Sequence, residues 1–134
     1  MKRFLPVLLS LMMLLVPGLG ATAENSRPNQ PLAILIAADW CYNCKIIKPK
    51  LHEAYQGFEG KIDFVTLDVT DDARLAQAQK QAAKLGQPSL LLGQFATGWV
   101  DLVDRNGKKV GELRQDMSVE EMRKALQALV GKTG

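Results

Sequence analysis

Two cysteines separated by two residues, Cys41 and Cys44, are the residues whose type and spacing point most directly to chemistry. They are also the only cysteines in the 134-residue chain. A thiol at the first turn of a helix is stabilised as a thiolate by unpaired backbone N–H groups and the helix dipole. An apolar run precedes the pair and a helix-like pattern follows it, so the sequence predicts that placement. With a second thiol in reach, the pair is equipped for disulfide exchange.

Two other uses of a cysteine pair are less consistent with the sequence. A bridge across two residues closes a very small loop and restricts the unfolded chain little, which argues against a structural staple. A structural zinc site usually needs four ligands, whereas the chain has no second cysteine pair and one histidine. We therefore expect no metal and no organic cofactor, because the Cys41–Cys44 dithiol or disulfide is itself the redox group. A metal or copper chaperone that uses both thiolates is kept as a weaker alternative.

The first 23 residues have the pattern of a secretory signal peptide. Lys2 and Arg3 form a basic start, residues 5–16 are apolar apart from one serine, and Ala21-Thr22-Ala23 reads as a cleavage site. The apolar stretch is shorter than the roughly 20 residues that a spanning helix needs, so we expect membrane attachment only if the peptide stays uncleaved. The pattern predicts transport across the inner membrane to the periplasm, an oxidising compartment where disulfides persist.

The rest of the chain reads as a polar, flexible lead-in over residues 24–31 and one domain over residues 32–134. Without residues 1–23, Lys+Arg falls from 17 to 15 against 14 Asp+Glu, so the net charge falls from +3 to +1. The sequence contains no basic patch interleaved with aromatic residues, so we expect no nucleic-acid partner. We expect a monomer.

The elements that must position the cysteines follow the order β-α-β-α-β-β-α. Apolar and alternating runs predict strands over residues 32–38, 62–69, 99–104 and 108–114. Helical patterns follow the cysteines, the Thr70-Asp71-Asp72 caps and the Ser118–Glu121 capping box. Helical crossovers predict that the first three strands are parallel, and Asn106-Gly107 predicts a final antiparallel hairpin. The fold class is therefore α/β, a central mixed four-stranded sheet flanked by helices.

The segment around the cysteines resembles the active-site helix of the thioredoxin family: Trp40-Cys41-x-x-Cys44-Lys45-x-Ile47-x-Pro49. The Ala38-Asp39 start is similar to that of exported thioredoxin-like thiol–disulfide interchange proteins. The resemblance implies a thioredoxin-like fold and a thiol–disulfide oxidoreductase that acts on protein thiols or disulfides. Cys41 would be the attacking nucleophile, more exposed than its neighbour, and Cys44 the buried resolving thiol.

Six residues beside the cysteines are expected to support this chemistry. Trp40 is expected to act as a lid and a partner contact, and Asp39 as a helix cap. Tyr42 and Asn43 form the uncharged variable dipeptide between the cysteines. Lys45 is expected to be a solvated cation near the thiolate, and Pro49 to kink the helix. The direction of net electron flow stays open. A reductant in an oxidising compartment needs a partner that reduces it again, for which a membrane thiol carrier is the candidate.

Two positions lack side chains that the family pattern leads one to expect. Thioredoxins carry a buried acid six residues before the first cysteine, and this chain has Leu35 there. They also carry a lysine near that acid, where this chain has Thr66. The sequence does not show what replaces the acid.

The loop that faces the cysteines is the third departure, because the family has a cis-proline just before its third strand. Counting back from the hairpin places Gly98, after Thr97, at this position in the partner-binding loop. Pro88 is the other candidate, and it would make residues 90–92 the strand and residues 93–98 an insertion. A glycine here favours an alternative function, a non-catalytic binding module for a client or assembly partner.

Overall fold

The computed structural model of the protein describes residues 29–132. The predicted signal peptide and residues 24–28 of the predicted lead-in lie outside the described residues. The elements are β1 (Leu32–Ala37), α1 (Tyr42–Ala54), β2 (Asp63–Asp68), α2 (Asp72–Lys84), β3 (Val100–Val103), β4 (Lys109–Leu113) and α3 (Val119–Gly131). Their order confirms the β-α-β-α-β-β-α prediction. In the described range no helix is both long and apolar enough to cross a membrane.

The four strands form one mixed sheet in the order β2-β1-β3-β4. Strand β1 pairs in parallel with β2, from Leu32 opposite Asp63 to Ala37 opposite Asp68. Strand β3 is antiparallel to both β1 and β4. The prediction that the first three strands are parallel is therefore wrong for β3, although the mixed four-stranded sheet is confirmed.

The segment between α2 and β3 explains this reversal. Helix α2 returns the chain to the end of the sheet where β1 begins, and there the Gln87 side chain donates to the Gly107 carbonyl in the hairpin turn, at 2.8 Å. Residues 88–97 then cross to the other end, where the Gly98 N–H donates to the Ile36 carbonyl at 2.8 Å. Strand β3 consequently starts beside the end of β1 and runs the opposite way.

The core explains why β1 is a continuous apolar run. All six β1 residues are buried because the strand lies inside the sheet between β2 and β3. Helix α1 contacts α3, and α2 packs against β2. The buried residues of α1 and α3 recur at three- or four-residue spacing, as a one-faced helix requires: Cys44, Ile47, Leu51 and Ala54, and Met122, Leu126 and Leu129.

Candidate active site

Cys41 and Cys44 form a disulfide at the end of the sheet where β1 finishes, with their Cα atoms 5.3 Å apart. A tight turn leads into it, in which the Cys41 N–H donates to the Ala38 carbonyl at 3.1 Å. Cys41 is the N-cap of α1, and its sulfur accepts the backbone N–H of Cys44 at 3.1 Å. The first sulfur thus lies at the positive end of the helix dipole, where a thiolate is stabilised.

This arrangement corrects the expected role of Asp39. The helix begins at Tyr42 rather than one residue after Asp39, so the turn separates the Asp39 carboxylate from the free N–H groups of α1. The cap is the cysteine itself. Asp39 instead points away and forms an ion pair with Arg74 on α2, at 3.0 Å.

Both cysteines are buried. Cys41 has 4 % of its surface exposed and Cys44 has 1 %, so Cys41 is the more exposed of the two, as expected. Its exposure is nevertheless far smaller than that of a nucleophile on the surface. The Cys44 sulfur lies 3.9 Å from the Ile36 carbonyl oxygen. The same oxygen accepts the Gly98 N–H, which ties the loop before β3 to the inner cysteine. The disulfide is therefore recessed below the protein surface.

The Gly98 backbone packs tightly against Asn43 and the backbone of Cys44. Its φ is +79°, and a Cβ atom at this position would lie 2.6 Å from the Asn43 Cβ and 3.1 Å from the Cys44 nitrogen. Such a distance is too short for a real side-chain atom, so a residue without a Cβ is required here. Gly98 thus lies in the loop that faces the start of α1, with Thr97 directly before it in the chain.

Pro88 does not face the cysteines. It follows Gln87 at the hairpin end of the sheet, opposite the disulfide. Residues 90–92, the strand required by the Pro88 alternative, form a turn rather than a strand. Among residues 29–132 no peptide bond is cis.

The segment before Cys41 is held by the loop between β2 and α2. The Trp40 Nε1–H donates to the Thr70 carbonyl at 3.0 Å, and the Asp39 N–H donates to the Thr70 Oγ1 at 3.0 Å. The Thr70 hydroxyl in turn donates to Asp68 at 2.6 Å. Trp40 is 64 % exposed, so most of its ring faces solvent while its polar edge is fixed.

Arg74 carries the charges of this network. Its guanidinium contacts three carboxylates, those of Asp39 at 3.0 Å, Asp68 at 3.4 Å and Asp71 at 3.5 Å. The hydrogen bond to Asp39 and the nearby carboxylates raise the pKa of Arg74. Hydrogen bonds from Thr70 lower the pKa of Asp68, and the Arg74 charge adds to this effect.

Leu35 and Thr66 face each other across the β1–β2 pairing, where the family pattern has the acid and the lysine. Both line a groove of about 250 Å³ whose described lining residues contain no carboxylate. Tyr55 and Phe64 stack in it with ring centroids 3.7 Å apart. Burial raises the pKa of Tyr55, so its hydroxyl stays protonated at neutral pH and supplies no base.

The other predicted supporting residues lie on α1 around the cysteines. Tyr42 is 75 % exposed, Lys45 and Pro49 are also exposed, and Asn43 is partly buried beneath Gly98. Helix α1 continues through Pro49 to Ala54. In the described part of the chain no group of three or more metal-binding side chains could hold a metal ion.

Several residues of the site were not singled out from the sequence. Arg74 and Thr70 hold the segment before Cys41, and Arg114 lies 4.2 Å above the centre of the Trp99 ring, next to Gly98. One signal was available: Asp71 and Arg74 have the i, i+3 spacing of a helical ion pair. Nothing in the sequence indicated the contact with Asp39, which is 35 residues away.

Comparison with known proteins identifies the class. The family model described as Thioredoxin matches residues 22–94, more than half of the chain. The protein therefore belongs to the thioredoxin family. The matched segment includes the cysteine pair and ends before Gly98, so for β3, β4 and α3 the fold rests on the structure.

Individual proteins that are similar to this chain in sequence or in structure also belong to this family. A thioredoxin H-type from Chlamydomonas reinhardtii is 30 % identical over 56 residues, which span 42 % of this chain and 50 % of that protein. Thioredoxin O2 from Arabidopsis thaliana in its oxidised state has a TM-score of 0.51 at 17 % identity, covering 76 % of each chain. A thiol:disulfide interchange protein of the thioredoxin family from Chlorobium tepidum has a TM-score of 0.56 at 13 % identity, covering 78 % of this chain and 82 % of that one. At these identities the solved structures show the shared thioredoxin-like fold.

Proposed function

We propose that the protein is an exported thiol–disulfide oxidoreductase in which Cys41 attacks and Cys44 resolves. The observation that carries this proposal is the Cys41–Cys44 disulfide at the start of α1 in a thioredoxin-family domain. The sulfur of Cys41 already accepts a helix N–H, and in the reduced protein the same contact stabilises its thiolate.

The roles of the two cysteines follow from their positions. In the reducing direction the Cys41 thiolate attacks one sulfur of a partner disulfide, and the other partner sulfur leaves as a thiolate. Cys44, as a thiolate, then attacks the Cys41 sulfur, and the second partner sulfur leaves. Two electrons pass from the dithiol to the partner, and the chain is left with the disulfide seen in the structure. The reverse sequence oxidises a partner dithiol.

Assignment of the attacking sulfur rests on access and electrostatics. Cys44 is the more buried residue and lies against the Ile36 carbonyl, a neutral acceptor that does not stabilise a thiolate as a cation would. Cys41 lies at the helix end, beside the exposed Trp40 and the Gly98 backbone. The partners we propose are protein thiols and disulfides, since the redox group is a dithiol and a recessed site suits an extended peptide segment.

Turnover of a model protein disulfide with an electron donor tests this proposal. We expect Cys41→Ser and Cys44→Ser each to abolish turnover, because each removes one of the two required sulfurs. Only Cys44→Ser should accumulate a mixed disulfide with a partner, since Cys41 can still attack. Lys80→Gln, at an exposed position of α2, keeps both sulfurs and serves as the control. Turnover that survives Cys41→Ser would contradict the roles assigned to the two cysteines. A wild-type protein that is inactive with every donor would favour the non-catalytic binding module instead.

The reduction potential of the Cys41–Cys44 couple decides the direction of electron flow. Thioredoxin-fold proteins span about −270 to −120 mV, so a potential well below about −200 mV favours a reductant and one near −120 mV an oxidant. A reductant would need a membrane thiol carrier to reduce it again.

Export to the periplasm is supported by the sequence pattern of residues 1–23. Cell fractionation followed by mass spectrometry tests it. We expect the periplasmic fraction to contain a chain that begins at Glu24, directly after Ala21-Thr22-Ala23. A cytoplasmic chain that retains residues 1–23 would contradict the proposal.

A further inference from the structure

The Asp39 carboxylate lies in the turn that leads directly into Cys41. Ala38 and Cys41 close this turn through a 3.1 Å backbone hydrogen bond, so Asp39 is two residues from the sulfur-bearing cap. Two residues of chain span at most about 7 Å, which is less than the Debye length of about 10 Å in 0.1 M salt, so charges on Asp39 and Cys41 can interact. An unpaired carboxylate here would disfavour a thiolate on Cys41 and slow its reactions.

Arg74 removes this penalty in two ways. Its Nη1 donates to the Asp39 Oδ2 at 3.0 Å, which neutralises the carboxylate and directs it towards α2. The Asp39 N–H is held by Thr70 at 3.0 Å, and Thr70 is in turn bonded to Asp68, a second partner of Arg74. The Asp39 backbone is therefore held by the loop between β2 and α2, and its side chain by the first turn of α2.

We propose that Arg74 is a positioning residue that keeps the Asp39 charge from suppressing the Cys41 thiolate. The inference rests on the proposed function, since it concerns the thiol assigned as nucleophile. Arg74 acts through Asp39 and takes no part in sulfur chemistry. Its side chain is 45 % exposed, so it contributes through charge and orientation rather than through core packing.

Other charged groups surround the start of α1 and must be held constant in a test. On the elements that flank this turn they are Lys45 and Lys48 on α1, Asp68 at the end of β2, Asp71 and Asp72 at the start of α2, and Arg114, which follows β4 and pairs with Glu112. A comparison within a double-mutant cycle keeps all of these unchanged, so the cycle isolates the coupling between Asp39 and Arg74.

The rate of iodoacetamide alkylation at pH 6 rises with the thiolate fraction of Cys41, because the thiolate is the nucleophile. In a Cys44→Ser background Cys41 is the chain's only thiol. We expect Arg74→Gln to slow alkylation about two- to threefold, because the Asp39 charge is then unpaired. Arg74→Lys should retain most of the rate. In an Asp39→Asn background, Arg74→Gln should change the rate by less than about 1.5-fold.

Lys80→Gln is the matched control, since Lys80 is an exposed cation on the same helix. An Arg74→Gln effect no larger than that of Lys80→Gln would overturn the proposal. So would an equal loss with and without the Asp39 carboxylate, since that loss would come from a structural change. Raising the salt concentration should reduce the Arg74→Gln effect if it is electrostatic. Alkylation needs no partner protein, so it can be measured even if the protein shows no turnover. If Arg74→Gln slows alkylation as expected but the wild type shows no turnover, the proposed function is contradicted and the role of Arg74 is not.

Discussion

The two sides of the disulfide are held by different physical means. We call residues 97–99 the Gly98 flank, and Asp39, Trp40, Thr70 and Arg74 the Trp40 flank. The Gly98 flank meets the disulfide through a close backbone approach in which a Cβ atom would lie 2.6 Å from Asn43. The Trp40 flank is built from hydrogen bonds and ion pairs near the surface. The first flank should therefore be sensitive to added volume, and the second to lost polar groups and charge.

The largest expected effect tests the Gly98 flank. Gly98→Ala should lower the free energy of unfolding by about 3 kcal/mol or more, because it adds a steric conflict to the cost of a positive φ. Gly86→Ala is the matched control, since Gly86 has a φ of +76° but nothing within 4 Å of its Cβ position. It should cost about 1 kcal/mol. Urea unfolding of the oxidised proteins measures both, and equal losses would show that the close approach costs nothing.

A smaller effect tests the Trp40 flank. Thr70→Val preserves the side-chain shape but removes the hydroxyl that accepts the Asp39 N–H and donates to Asp68. We expect a loss of about 1–2 kcal/mol in urea unfolding, typical of two partly exposed hydrogen bonds. The exposed Thr66 on β2 offers the control Thr66→Val, which should change stability little. A Thr70→Val protein as stable as this control would mean that the loop does not anchor the segment.

The smallest effect is a pH dependence that comes from Asp68, the carboxylate that accepts hydrogen bonds from Thr70 of the Trp40 flank. Hydrogen bonds from Thr70 lower the pKa of Asp68 in the folded protein. A lowered pKa means that the stabilisation is present above the unfolded value of about 3.9 and is lost as pH falls through the lower folded value. Thermal unfolding between pH 6 and pH 2.5 should therefore show a smaller acid-induced decrease in Tm for Asp68→Asn than for the wild type.

The Gly98 flank provides the contrast for this measurement. Residues 97–99 include no ionisable side chain, so the Gly98→Ala difference from the wild type should stay constant as pH falls to 4. Glu121, whose pKa is also lowered by its bonds to Ser118, contributes to acid unfolding in all variants and cancels in the comparison. If the Tm difference between Gly98→Ala and the wild type varied strongly with pH, charge would contribute to the Gly98 flank as well, and the proposed contrast between the two flanks would be wrong.

Much of the fold could be predicted because it is encoded in local patterns. The β1 run and the Ser118 capping box each specify their own element and were found where expected. Asn106-Gly107 correctly indicated the hairpin, although its turn is longer than two residues and closes between Asp104 and Lys108. The direction of β3 could not be predicted, because it depends on how residues 85–99 cross the sheet. That path has no periodic signal and is stabilised by single contacts such as the one between Gln87 and Gly107.

The sequence by itself determined the disulfide-forming pair and the family, because two cysteines at the end of a buried strand are a local arrangement. It also indicated Gly98 by counting from the hairpin. Only the tertiary structure decided why a glycine is needed there, since Asn43 lies 55 positions earlier in the chain. The tertiary structure also showed that Cys41, rather than Asp39, is the N-cap of α1 and that Asp39 forms an ion pair with Arg74. Such contacts are set by the packing of β2 and α2 against the active-site turn, which no local pattern encodes.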